Sequence, residues 1–227
     1  MLRASEFDWK GTEREFGRAL ELDPKSENVW IGYDSYYLMP MRRLDEAVAA
    51  SRRGVELDPL SPFLQWRLGY RYHLTRRWDC AIEQCRNVLE LDPNYRHGHQ
   101  LLDLTYLQTG KLDEAIRAFE TCAQLTGRSP WDLGILGSVY ARAGRLGQAQ
   151  KLLEELQDLA QKAYVWPWSF GLIYAGLGDI DRCFDWFEKA VDEHNPLMLH
   201  IDIEPIYEPL RSHPRYPALL RKMNLEP

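Results

Sequence analysis

Apolar residues recur along this chain with two superposed periods. Over short stretches they fall three and four residues apart, the spacing of one face of a helix. Over longer distances the pattern returns every 34 residues: Tyr72, Tyr106, Tyr140 and Tyr174 keep that step. So do Leu68, Leu102, Leu136 and Phe170, and so do Ala81, Ala115, Ala149 and Cys183. Gly110, Gly144 and Gly178 run in phase with them, and Glu-Leu-Asp-Pro occurs at Glu21–Pro24, Glu56–Pro59 and Glu90–Pro93. Several in-phase series mark an internal repeat.

Each repeat reads as two helices. In the one opening at Arg96, the first helix is predicted over Arg96–Gln108 and the second over about Lys111–Leu125. The glycine after the first helix suits a left-handed C-terminal residue. Asp45-Glu46 and Asp113-Glu114 fall in the first turn of second helices, where the helix dipole favours acids. Ser61-Pro62 and Ser129-Pro130 read as an N-cap followed by proline in the first turn. Trp166-Pro167 places a later helix start.

This gives five units, 27–61, 62–95, 96–129, 130–163 and 164–197, after a truncated one at 1–26 with Leu2–Asp8 as the remnant of its first helix. Unit 27–61 carries an extra residue, assigned near Met39-Pro40-Met41, and lacks the turn glycine. Residues 198–227 fall outside the period. They read as a capping segment whose last helix opens at Ser212-His213-Pro214 and presents Tyr216, Leu219, Leu220 and Met223 as an apolar stripe.

The residues at these positions resemble the tetratricopeptide repeat (TPR). Unit 62–95 shows Leu68-Gly69, Tyr72, Ala81 and Pro93, and unit 96–129 shows Leu102, Tyr106, Gly110, Ala115 and Phe119. Unit 130–163 shows Leu136-Gly137, Tyr140, Gly144 and Ala149. Unit 164–197 shows Phe170-Gly171, Tyr174, Gly178, Phe187 and Ala190. Departures are Asp103 at a small position, Cys85 for the aromatic, Gly127 for the terminal proline and Cys183 for alanine. The resemblance implies an all-α fold, a right-handed α-α superhelix (TPR solenoid) of antiparallel helix pairs, and a function in protein binding. Gly69, Gly137 and Gly171 are expected to let the two helices of a unit approach closely. Phe7-Asp8-Trp9 and the closing stretch also look like TPR arrays of large bacterial regulators, which follow a winged-helix, cyclase or Ser/Thr kinase domain. That implies the C-terminal part of such a protein.

Composition narrows the classes. The net charge is −6 in 227 residues, and from Lys151 onward 8 Lys/Arg face 13 Asp/Glu, so nucleic acid is not an expected partner. No 18-residue apolar run marks a membrane span and no apolar segment at Met1–Glu6 marks a signal peptide, so a cytoplasmic location is expected. Cys80, Cys85, Cys122 and Cys183 form no CxxC pair and read as reduced, buried thiols.

Chemistry is sparse. There is no nucleophile motif, P-loop or GxGxxG, and no cofactor or enzymatic activity is expected. His97-Gly98-His99 has i, i+2 spacing, which points the rings apart on a helix, so no metal site is expected. The Asp-Glu pairs are explained by helix starts.

The first helices carry a second face, at positions 2, 5, 9 and 12 of each unit, about 130° from the core face. By the resemblance it lines a concave peptide-binding groove. It holds Phe63, Trp66, Tyr70 and His73, then His97, Gln100 and Leu104, then Trp131 and Ser138, then Trp168, with Arg67 and Arg142 flanking. An aromatic surface with a few cations suits a protein or peptide ligand. The same aromatics also suit packing between neighbouring helices, and self-association into a homo-oligomer is the alternative use of the groove. The Lys/Asn clamp of chaperone-tail adaptors is absent: Ile31 and Ser35, Trp66 and Tyr70, and Gln100 and Leu104 stand at its positions.

Overall fold

The computed structural model describes Ala4, residues 6–24 and residues 26–225. Among them all regular structure is helical. Leu2, Arg3 and Ser5 of the expected remnant helix lie outside the described residues. The chain forms two compact units, one of residues 1–91 with 196–227 and one of residues 92–195.

The first unit contains α1 (Trp9–Leu22), α2 (Glu27–Tyr33), α3 (Leu44–Leu57), α4 (Pro62–Leu74) and α5 (Trp78–Leu91). Helix α4 starts as its sequence dictates: Ser61 Oγ accepts from the Leu64 N–H, and Pro62 fills the first turn. Helix α2 runs directly into a π-helical turn, Asp34–Leu38, in which the Met39 N–H donates to the Asp34 carbonyl at 3.0 Å. The extra residue of this repeat is absorbed in that turn, one step before Met39-Pro40-Met41. A π turn inserts one residue without breaking the helix.

Arg42 and Arg76 follow the first helices here with φ of 58° and 59°. They stand where Gly110, Gly144 and Gly178 take φ of 76–79° in the later repeats. The chain thus keeps the left-handed turn even where it lacks glycine.

Residues 196–225 fold with these N-terminal helices. They form 3-10 turns at Pro196–His200 and Pro205–Leu210 and a last helix, α12 (Tyr216–Lys222). The expected stripe of Tyr216, Leu219, Leu220 and Met223 is buried throughout. The Trp9 indole N–H donates to the Met223 carbonyl at 2.9 Å, and the Asn224 amide donates to the Phe7 carbonyl at 3.2 Å. Ile203 enters an apolar cluster of Tyr37, Leu38, Met39, Ala47 and Leu74.

The second unit contains α6 (Arg96–Gln108), α7 (Leu112–Leu125), α8 (Pro130–Arg142), α9 (Leu146–Ala160), α10 (Pro167–Leu177) and α11 (Ile180–Asp192). Helix α6 packs on α7, α8 on α9 and α10 on α11, and α8 also packs along α10. Phe119, Leu133, Leu136, Leu156, Phe184 and Phe187 fill the core. A Cβ on Gly171 would lie 2.4 Å from the Phe187 ring, a close approach within one helix pair. A Cβ on Gly137 would instead meet Ile173 of α10 at 2.6 Å. The small residue at 137 therefore serves packing between pairs rather than within its own.

Cys85, Cys122 and Cys183 are buried, but Cys80, on α5, is exposed. Burial, then the carboxyls of Asp132 and Asp103, push the Cys122 thiol up to about 12. A thiol reagent should therefore label Cys80 rapidly and the other three only after denaturation. Fast native labelling of a second cysteine would contradict this burial.

Candidate interaction faces

The face at positions 2, 5, 9 and 12 has a different fate in each compact unit. In the first, α4 carries a continuous aromatic row. The Phe63 and Trp66 rings lie 5.8 Å apart, Trp66 and Tyr70 stack at 6.0 Å with 8° between planes, and Tyr70 and His73 follow at 6.3 Å. This spacing follows from i, i+3 and i, i+4 neighbours on one helix side. Phe63 is 36% exposed and Trp66 half-buried, whereas His73 is fully buried. The guanidinium of Arg67 lies over the Phe63 ring at 5.7 Å.

The His73 end of this row is covered by the chain's own closing segment. The Tyr70 hydroxyl donates to Glu204, whose carboxylate lies 3.6 Å from His73 Nε2. His200 packs against Tyr70 and reaches the Ser35 carbonyl at 3.3 Å. Burial alone would raise the Glu204 pKa; His73 and the Tyr70 hydroxyl outweigh it and hold the carboxyl below its ordinary value. Arg42 pairs with Asp202, and Arg76 Nη2 pairs with Glu208 at 2.9 Å.

Arg67 points inward. With Arg71 it binds the buried carboxylate of Asp34, and Arg71 Nε reaches both Asp34 oxygens at 3.1 Å. Asp34, the first residue of the π turn, thus meets both arginines. In sequence, Arg67 reads as a groove cation; here its charge is spent inside the fold.

In the second unit the same face is mostly a helix–helix contact. A Cβ on Gly134 would lie 2.8 Å from the Ser169 Cα, and one on Gly176 would lie 2.7 Å from the Ser138 carbonyl. Small residues thus bring α8 and α10 together. Ser138 and Trp168 are buried there, and Trp168 stacks on Trp131 at 6.2 Å and 17°. Trp131, His97 and Leu104 are half-buried and Arg142 is exposed.

Gln100 is buried and bridges His97 Nδ1 at 3.0 Å and Asp132 at 3.0 Å. Asp132 also accepts from Thr126 at 2.5 Å and from the Ser129 hydroxyl. His99 meets the Pro93 carbonyl at 2.8 Å, so the two rings of the histidine pair serve different partners. No group of three or more potential metal ligands occurs among the described residues. No helix among them is long and apolar enough to cross a membrane.

Asp103 stands beside this network, 0% exposed, with neither carboxyl oxygen hydrogen-bonded. Desolvation, then the charge of Asp132, raises its pKa well above the ordinary 3.8. A raised carboxyl pKa gives stability that is complete below the unfolded value and is lost as pH rises toward the folded value. Asp103→Ala should therefore stabilise the chain by about 1–3 kcal/mol at neutral pH, with a gain that grows upward from about pH 4. Urea denaturation at several pH values checks this; a gain independent of pH would contradict it.

A tetratricopeptide-repeat family model matches residues 101–127. The Cut9–Hcn1 hetero-tetramer of the APC/C is similar in structure with a TM-score of 0.61 at 14% identity, over 97% of this chain and 44% of that one. A thermophilic TPR protein of Thermus thermophilus gives 0.57 at 20% identity, over 74% of this chain and 93% of that one. A tetratricopeptide repeat protein from Parabacteroides merdae gives 0.56 at 14% identity, over 98% and 90%. The chain spans less than half the length of the Cut9–Hcn1 chain it matches. At these identities the likeness is one of fold. No curated protein sequence matches the chain.

Proposed function

We propose that this chain, which matches a tetratricopeptide-repeat model at residues 101–127 and shares the fold of solved TPR proteins, is an interaction scaffold taking a protein partner on its first-helix faces. Stacked helix pairs present extended surfaces suited to that use. The observation that carries the reading is the aromatic row of α4. Its His73 end already holds polypeptide, the chain's own residues 200–204, through hydrogen bonds and an aliphatic anchor. At its other end Phe63 is exposed and Trp66 is half-buried. Large aromatic side chains beside an existing polypeptide contact supply the area that binding anchors use.

Of the residues expected to line a groove, Phe63 and Arg142, which are exposed, and Trp66, Trp131, His97 and Leu104, which are half-buried, support the proposal. Tyr70 and His73 serve the closing segment, and Gln100, Ser138, Trp168 and Arg67 serve internal packing and charge pairing. The sequence likeness to regulator arrays extends the proposal to a cytoplasmic regulatory setting, with the scaffold serving an effector domain.

The test is a pair of substitutions. Phe63→Ala and Trp66→Ala should each lower affinity for a partner captured by the full chain by about 2 kcal/mol, the size expected of an anchor. Titration calorimetry against that partner reads the effect. Wild-type affinity in both variants would overturn the assignment of this face.

A further inference from the structure

The closing segment meets the first-helix face in a way that apolar packing alone does not require. Arg42 and Arg76 occupy the turn position that glycine holds at 110, 144 and 178. A non-glycine residue in left-handed backbone is strained, as Arg128 and His194 also are elsewhere in the chain. Both strained residues pair with acids of one short segment, Arg42 with Asp202 and Arg76 with Glu208. Between these pairs Ile203 is buried in the apolar cluster, and Glu204 is held by Tyr70 and His73. The face therefore reads a definite pattern: an acid, an aliphatic residue, a second acid, and a third acid four residues on.

We propose that this face of the first compact unit is a receptor for acidic segments of that pattern, that residues 202–208 are its resident occupant, and that a partner protein presenting the same pattern displaces them. The proposal rests on the reading of the first-helix face as a docking surface. It adds the chemistry of the partner, an acidic-aliphatic segment, and a competition within the chain that sets when the face is open. Charge complementarity at a rim governs encounter and partner choice more than raw affinity, which suits an exchangeable occupant. The Arg76–Glu208 pair is the exchangeable part, whereas Asp202 is 10% exposed and also accepts from the Tyr216 hydroxyl at 3.1 Å. Arg76 and Glu208 are both about half exposed, and such pairs hold weakly.

The experiment uses the full chain and a fluorescent peptide of residues 199–210, read by anisotropy. In the wild-type protein the tethered segment competes and the peptide binds weakly. Asp202→Arg with Glu208→Arg sets like charges against Arg42 and Arg76 and loosens the tethered segment. The peptide is expected to bind this variant roughly ten-fold more tightly than wild type, about 1.4 kcal/mol. Adding Arg42→Gly and Arg76→Gly, which relieves the left-handed strain and so favours folding, should abolish the gain. Equal affinity for wild type and the Asp202→Arg/Glu208→Arg variant, or binding to neither, overturns the proposal. If that double variant does not fold, Glu208→Arg alone gives the same comparison on an exposed pair. The Trp66→Ala measurement is made with the segment in place, so the scaffold reading and the displacement reading fail separately.

Discussion

Replacing Asp34 with alanine should cost about 3–5 kcal/mol of unfolding free energy, the largest single loss expected in the first compact unit. Asp34 is 1% exposed and lies between the guanidinium groups of Arg67 and Arg71, which are buried as well. Removing the carboxylate leaves two buried cations. Arg67 would keep the Ser35 hydroxyl at 3.2 Å and the Ile31 carbonyl at 3.4 Å, neither of which carries a compensating charge. The penalty comes from the uncompensated charges rather than from a strong net ion pair, because desolvation offsets most of the attraction. The combination Asp34→Leu, Arg67→Met and Arg71→Met should accordingly recover much of the loss. Urea titrations followed by circular dichroism compare the variants. A loss under about 1 kcal/mol for Asp34→Ala would show that the arginines find water or other acceptors.

Trp168→Ala should cost a similar 3–5 kcal/mol, roughly the range for deleting a large buried aromatic. Trp168 is 4% exposed, stacked on Trp131, at the start of a helix whose Ser169 lies in tight contact with Gly134. The glycine contact fixes the separation of α8 and α10, so the cavity cannot close by sliding the helices together. Trp66→Ala removes a half-buried ring and should cost clearly less stability than Trp168→Ala. Equal losses would mean that the α4 row is core rather than surface.

The helices were legible because each signal for them is local. The 34-residue period, the proline starts at Pro62, Pro130 and Pro167, and the glycines at 110, 144 and 178 appear in the fold where their chemistry requires. The sequence showed an extra residue in the repeat of α2, but not that a π turn at Asp34–Leu38 takes it up, nor that Asp34 at its start pairs with Arg67 and Arg71. Nor did it show that Arg42 and Arg76 would keep the left-handed turn.

The face at positions 2, 5, 9 and 12 was legible as a face, but its use was not. Helical phase tells which residues share a side, not what packs on it. In α8 that side carries Gly134 and Ser138, small enough for α10 to close over it. In α4 it carries Phe63, Trp66 and Tyr70, too bulky for such an approach. The occupant of the Tyr70 end comes from 134 residues further along, and no local pattern announces that pairing. In α10 the same positions hold Trp168 and Leu172, which are large and buried, so side-chain size alone does not separate a packed face from an open one.

The central claim, that the aromatic row of α4 docks a partner protein, is tested most directly by placing a photo-crosslinking amino acid at Trp66 of the full chain in the cell that makes it. Glu83, exposed on the second helix of the same pair, is the control position. The account predicts a covalent adduct with a different protein from position 66 and none from position 83. Adducts of equal yield from both positions, or adducts from position 66 only with further copies of this chain, would contradict it.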